Sequence, residues 1–484
     1  MPVTRAQAAR WTRIPLAGGG QETLLSEVGS QYLLPLFTTA EACALRLVCR
    51  EFLAAVSEQP WEDRKTWIKG SIAAWRACFP RARCADVRWR ATPVVDADFV
   101  HFEGLRELNM YGCSNVTDGA FAHLRGIYKL DISHCNQAGI TDAAFVHLRG
   151  IHTLKMSACR QAGITDAAFA HLRGIHALDM GYCDQDGITD AAFAHLRGIH
   201  KLRMNGCSQV GITDAAFAHL RGIHSLSMCG CNQLGITDAA FAHLRGIHTL
   251  DMWRCDQLSI TDAAFAHLRG IHTLCMWQCS QASITDAAFE PLRGINTLNI
   301  SCCSQFTDAA FAHLRGIHTL DMSECDQAGI TDAAFAHLRG IHELGIRCCS
   351  QLSITDAAFA HLSGIHTLDM SQCYQLTDAA FVHLRGIHTL DMSLCDQASI
   401  TDAAFEPLRG INTLNISCCS QFTDAAFAHL RGIHTLDMGG CKQRGITDAA
   451  FAHLRGIHAL YMDDCKSSSI RAARDLELAV NYHG

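Results

Sequence analysis

Two rhythms of apolar and polar residues alternate along this chain, and the pair returns every 22 or 24 residues. In IHTLDM, residues 247–252, Leu250 and Met252 alternate with Thr249 and Asp251. That is the period-two pattern of a strand with one buried face. In TDAAFAHLRG, residues 237–246, Phe241 and Leu244 stand three apart with Ala240 beside them. They share one face of a short helix. Thr237 is placed to cap it, Asp238 falls in its first turn and Arg245 in its last. Gly246 follows where a left-handed stop is wanted. A helix of about two turns does not persist alone, so stacking must hold it.

The Thr-Asp pair keeps the register from Thr117 to Thr447, and a worn first copy begins at Val95–Asp96. This gives sixteen repeats ending near Lys466. Identical helices side by side bring like dipole ends together. A row of Asp at one end and Arg at the other offsets this by ~0.3–1 kcal/mol per end. Residues 281–322 match residues 397–438 at every position, the mark of recent duplication. Sameness between repeats is therefore weak evidence for a copied active site. Asp, His and Ser occur as ladders, with no Gly-rich phosphate loop, nucleophile elbow or isolated carboxylate pair. The chain reads as no enzyme.

The pattern LxxLxLxxC, with a strand and a short helix per repeat, resembles the leucine-rich repeat family. The cysteine after the strand, followed by Thr-Asp and an apolar helix, resembles its cysteine-containing subclass. The likeness covers roughly residues 80–466. It implies an α/β solenoid, with a parallel β-sheet on the concave side and short helices on the convex side. The 22-residue repeats keep the subclass spacing, as from Cys303 to Thr307, whereas most others insert two residues.

The part that does not repeat is ETLLSEVGSQYLLPLFTTAEACALRLVCREFLAAVSEQPW, residues 22–61. Its apolar residues fall into two helical clusters separated by Pro35 and Thr38-Thr39. One reading is a helical cap that shields the first repeat. The other rests on Leu45-Arg46-Leu47-Val48-Cys49-Arg50-Glu51-Phe52 and Trp61, which resemble the F-box, a small three-helix module. Leu25-Ser26-Glu27 stands where that family's Leu-Pro-x-Glu would begin, without its proline. The resemblance implies a Skp-type adaptor and, through it, a cullin-based ubiquitin ligase. Leu25, Leu33, Leu36, Leu45, Val48, Cys49, Phe52 and Trp61 would then form the adaptor surface or the module's core. The expected layout is a disordered N-terminus at 1–21, this small all-α module at 22–62, and a linker helix with capping strand at 63–94. The repeats occupy 95–466 and a C-terminal cap 467–484.

The 25 cysteines and 28 histidines raise a metal or redox reading. Most cysteines hold one repeat position just after the strand, where a small buried residue is wanted. No paired C-x-x-C knuckle appears. Histidines form two rows, one like His243 on the helix and one like His248 before the strand, and read as scaffold. Neither metal nor cofactor is expected. A net charge of −7, spread thinly, gives no general phosphate-binding surface. No apolar run has the length of a signal peptide or membrane span. The expected compartment is cytoplasmic or nuclear, and no nucleic acid or membrane partner is implied.

Near-identical repeats make the differing positions informative. These lie at the outward strand positions and just beyond them, on the expected concave face. Lys155 and Arg203 stand towards the start, and Tyr182, Asp251, Trp253, Arg254 and Trp277 in the middle. Asp321, Glu324 and Asp369 stand towards the end. They predict a partner-binding surface running from basic to acidic, with an aromatic anchor. Two functions fit: a substrate receptor of a Skp-cullin-F-box type ubiquitin ligase whose repeats hold an unknown target protein, or a leucine-rich-repeat interaction scaffold with a helical cap and no ligase role.

Overall fold

A computed structural model describes residues 34–47, 50–442, 445–465 and 480–481. The chain divides into two compact halves, residues 1–223 and 224–484. In the N-terminal half the strands Cys84–Asp86, Glu107–Asn109, Lys129–Asp131, Thr153–Lys155, Ala177–Asp179 and Lys201–Arg203 pair in parallel and in order. In the C-terminal half, parallel pairing runs from Ser225–Ser227 through Ala459–Tyr461. Val480–Asn481, within the expected C-terminal cap at 467–484, is a strand alongside Ala459–Tyr461 and not helical; the rest of that cap lies outside the described residues. Each half is thus a parallel sheet backed by short helical turns.

The apolar periodicity explains the layers. Leu250 and Met252 point inward and are fully buried, as are Ala240 and Phe241 from the helical side. This pair of faces recurs in every repeat, so the core is one continuous seam per half. Gly246 adopts φ +81 and turns the chain back towards the strand, and open space surrounds the position of a Cβ there. The requirement at this point is conformational rather than steric.

The helix is shorter than the sequence predicts. The α-helical segment is Asp238–Phe241, a single turn. His243 and Leu244 continue with i→i−3 bonds to Ala240 and Phe241, at 3.1 and 2.9 Å. The tighter second turn lets a 24-residue repeat close on itself. Arg245 therefore lies beyond the helix instead of in its last turn. Its Nε donates to His267 Nδ1 of the next repeat at 3.4 Å, and the same link joins Arg149 to His171 and Arg339 to His361, each at 3.3 Å.

Thr and Asp lock neighbouring repeats together. Thr261 Oγ1 accepts from Ala263 N at 3.2 Å, which caps its own turn. Its backbone N–H and hydroxyl both donate to the Asp238 carboxylate of the preceding repeat, each at 2.7 Å. The worn first repeat keeps this link, with Asp96 Oδ1 accepting from Thr117 N at 2.8 Å.

The cysteine row is core. Cys255 is fully buried, and its thiol donates to the Met228 carbonyl at 3.1 Å. Burial pushes the thiols of Cys135 and Cys183 up to about 12, which leaves them protonated and unreactive. Two residues further on stands a row that the sequence reading did not single out. Gln281 Nε2 donates to the Cys255 carbonyl at 3.1 Å, and Gln351 Nε2 to the Cys325 carbonyl at 3.0 Å. These amides tie most loops to the one before, though Gln137 and Gln233 make no such bond. The signal was present, since Cys-x-Gln recurs down the chain.

Before the first repeats, Thr39–Leu45 and Arg50–Glu58 form helices. Thr38 and Glu41 make a capping box at the first. Ile72–Cys78 is a third helix. Leu34, Leu45, Phe52 and Trp61 are buried in one cluster with Phe79 and Ala82, and Trp61 meets Phe79 edge-on at 5.7 Å.

Candidate binding face of the sheet

Strand alternation leaves the first and last residues of each strand on the open side of the sheet, and the chain returns to that side just past the buried Met252-type position. The differing positions fall into three rows there. Lys155, Arg203, Asp251, Asp321 and Asp369 each hold the last residue of a strand. Trp253 and Trp277 stand two residues later. Tyr182, Arg254 and Glu324 come next, at positive φ of 56, 55 and 59. In this row the side chain turns outward at a backbone cost of ~1–3 kcal/mol per non-glycine residue.

The two halves differ in electrostatics. In the N-terminal half three basic residues of the face are paired across strands, Lys129 with Glu107 at 3.1 Å, Lys155 with Asp131 at 3.8 Å, and Arg203 with Asp179 at 3.9 Å, while Lys201 stays exposed. The expected basic stretch is thus largely neutralised by its own neighbours. In the C-terminal half the carboxylates are held by uncharged donors. Asp321 accepts from Asn299 Nδ2 at 3.0 Å and from Ser323 Oγ at 2.6 Å. Asp369 accepts from Ser371 Oγ at 2.6 Å, and Asp391 from Asn415 Nδ2 at 2.8 Å. Cys302 Sγ donates to Glu324 at 3.2 Å. These bonds fix the carboxylates and leave their charge in place.

Trp253 and Trp277 stack with centroids 4.7 Å apart and planes 8° from parallel. Both are half-buried. Trp253 Nε1 donates to Gln278 Oε1 at 3.3 Å and Trp277 Nε1 to Cys302 Sγ at 3.1 Å. With both indole N–H groups engaged, the pair offers π faces and carbon edges. Asp251 is fixed beside it, accepting from the Trp253 backbone at 3.3 Å and from Ser227 Oγ at 3.1 Å.

The histidine row before the strand is also stacked. His318, His342, His366 and His388 follow one another at 4.5 Å. Parallel rings point their in-plane lone pairs side by side instead of at a common centre, so this geometry suits π-stacking and not chelation.

Of the residues picked out near the N-terminus, Leu45, Phe52 and Trp61 are core and not surface. Leu36 is 77% exposed and belongs to no core. Leu25, Leu33, Val48 and Cys49 lie outside the described residues.

No protein-family model matches the sequence, and no curated protein is similar to it in sequence. Solved structures do match in shape. The complex of TLR13 with ssRNA13 aligns at a TM-score of 0.63 and 16% identity, over 91% of this chain. The Drosophila Toll–Spatzle complex aligns at 0.52 and 14% over 82%, and its glycosylated form at 0.55 and 13% over 80%. The chain spans 65% of the TLR13 chain and 56% and 58% of the two Toll chains. At these identities the likeness is one of fold, and the chain has the parallel-sheet solenoid architecture of leucine-rich-repeat proteins.

Proposed function

We propose that this chain is a protein-interaction scaffold whose open sheet face holds a partner protein. The carrying observation is the Trp253–Trp277 stack. It is a half-buried stacked indole pair on an otherwise largely polar face, and tryptophan is a residue type enriched at binding hot spots. Among the similar structures, TLR13 is in complex with ssRNA13 and Toll with Spatzle. A protein ligand fits the present face better than a nucleic acid, because Asp251 is fixed beside the stack and further carboxylates follow along the same face. The test is quantitative capture from cell extract by the intact chain and by the Trp253→Ala/Trp277→Ala double variant. The main partner should be lost by at least about tenfold. Undiminished capture by the double variant refutes the reading.

A second reading is a substrate receptor that reaches a Skp-type adaptor and cullin through its N-terminal helices, in the cytoplasm or nucleus. Leu36, Leu47 and Leu53 favour it, being 77%, 73% and 40% exposed on and beside those helices. Exposed leucines at this density suit a covering partner. Co-purification with a Skp-type adaptor decides it, and failure of the intact chain to bind removes the ligase role.

A further inference from the structure

We infer that the sheet face of the C-terminal half docks a basic, extended segment of its partner, with one arginine side chain seated against the Trp253–Trp277 stack. This deepens the scaffold reading and depends on it.

Three observations converge. The first is charge. Asp251, Asp321, Glu324, Asp369, Asp391 and Asp437 stand on this face among further carboxylates such as Glu343, against Arg254 and Arg347. Among the described residues, none of these carboxylates has a lysine or arginine nitrogen within 4.0 Å. The ion pair found in this half, Arg269 with Glu290, lies on the helical side. The N-terminal half shows the contrast, since its face pairs Lys129, Lys155 and Arg203 with its own carboxylates.

The second is the chemistry of the stack. Its N–H groups are already bound to Gln278 and Cys302, so it has no donor to offer a phosphate, a sugar or a carbonyl. What remains is π surface with Asp251 fixed beside it and Glu324 held beyond it through Cys302. A guanidinium is the group that gains from both. Beside Trp277 in the same row, Ser301 is 5% exposed and its hydroxyl has no hydrogen-bond partner in the protein.

The third is spacing. Trp277, Asp321 and Asp369 belong to the strand regions at Thr273–Cys275, Thr319–Asp321 and Thr367–Asp369, which are two strands apart each time. Strands lie ~4.8 Å apart, so the step is ~10 Å, close to three residues of an extended chain at ~3.3 Å each. Gly345, on the strand between Asp321 and Asp369, leaves room into which the Asp321 carboxylate leans. A Cβ on Gly345 would meet Asp321 Oδ1 at 2.7 Å. A segment with arginine at every third position matches this register.

The test uses the full chain and a labelled ten-residue peptide with arginine at every third position and serine elsewhere, followed by fluorescence anisotropy and by tryptophan emission. Binding should shift the tryptophan emission and weaken severalfold as salt is raised. It should weaken about tenfold in Trp253→Ala/Trp277→Ala. It should also weaken severalfold in Asp369→Asn/Asp391→Asn, while Glu290→Gln/Glu406→Gln, the same charge change on the helical side, leaves it intact. Equal losses in both charge variants would mean that only net charge matters and would overturn the inference. So would equal binding of a peptide with glutamate for arginine, or of an oligouridylate RNA. If the intact chain captures a partner through the tryptophans but the arginine peptide does not compete, the basic-segment inference falls and the scaffold reading stands. If neither binds, both fall.

Discussion

Thr261 does three things with two groups. Its hydroxyl caps its own helical turn through Ala263 N, while the hydroxyl and the backbone N–H together grip Asp238 of the repeat before. The Thr-Asp letters are thus both a cap and a rivet between repeats. Thr261→Val keeps the shape but removes the hydroxyl, which uncaps the turn and strips Asp238 of one donor. The expected cost is about 1–3 kcal/mol in urea denaturation, with Thr261→Ser close to the parent. A Thr261→Val protein as stable as the parent would mean that the ladder is decorative. At the same scale, the cysteine and glutamine rows hold loops to loops by thiol and amide donors, and burial keeps the thiols protonated.

A four-residue turn such as Asp238–Phe241 has no stability of its own, so the element owes its existence to what touches it from the next repeat. On the helical side, that includes the Arg–His links. Arg Nε donates to His Nδ1, which requires the lone pair of the neutral ring. Partial burial and then Arg149 push His171 below the ordinary histidine value of 6.5. His366 in the stacked row moves the same way, through desolvation and then His342 and His388. Both shifts are downward, so the stability they contribute is complete above pH 6.5 and is lost as the pH falls through the folded values. The melting temperature should therefore drop between pH 7.5 and pH 5, on the acid side of ~6.5. An unchanged melting temperature over that interval would refute the coupling.

At the scale of the whole molecule, each repeat meets only its neighbours within its half, so the array should tolerate loss of a complete repeat. Deleting residues 331–354 brings Thr355 against Asp308 in place of Thr331, which now accounts for Asp308's two short bonds at 2.8 and 2.7 Å. The shortened chain should fold with an unchanged circular dichroism per residue and a modestly lower melting temperature. A collapse of structure would show that the repeats are not interchangeable. The N-terminal helices are tied in differently. Trp61 shares its cluster with Phe79 and Ala82, directly ahead of strand Cys84–Asp86, so the N-terminal helices are anchored to the chain that leads into the sheet.

Periodicity alone made the strand, the helical turn, the glycine stop and the register legible, because Leu250, Phe241 and Gly246 have local requirements that repeat with the chain. The core identity of the cysteine row was legible too, since a position just after a strand that always holds a small apolar residue has few other uses. Three things waited for the tertiary structure. Arg245 left the helix because the second turn tightened, a consequence of closing the loop. The glutamine row gained its meaning only when Gln281 met a carbonyl 26 residues earlier in the chain. The charge of the face also had to be read in space. Lys155 and Arg203 look basic in the sequence but are answered by Asp131 and Asp179 on adjacent strands, while Asp321 and Asp369 have only neutral donors. Pairing between strands is a property of register, and one-dimensional composition does not contain it.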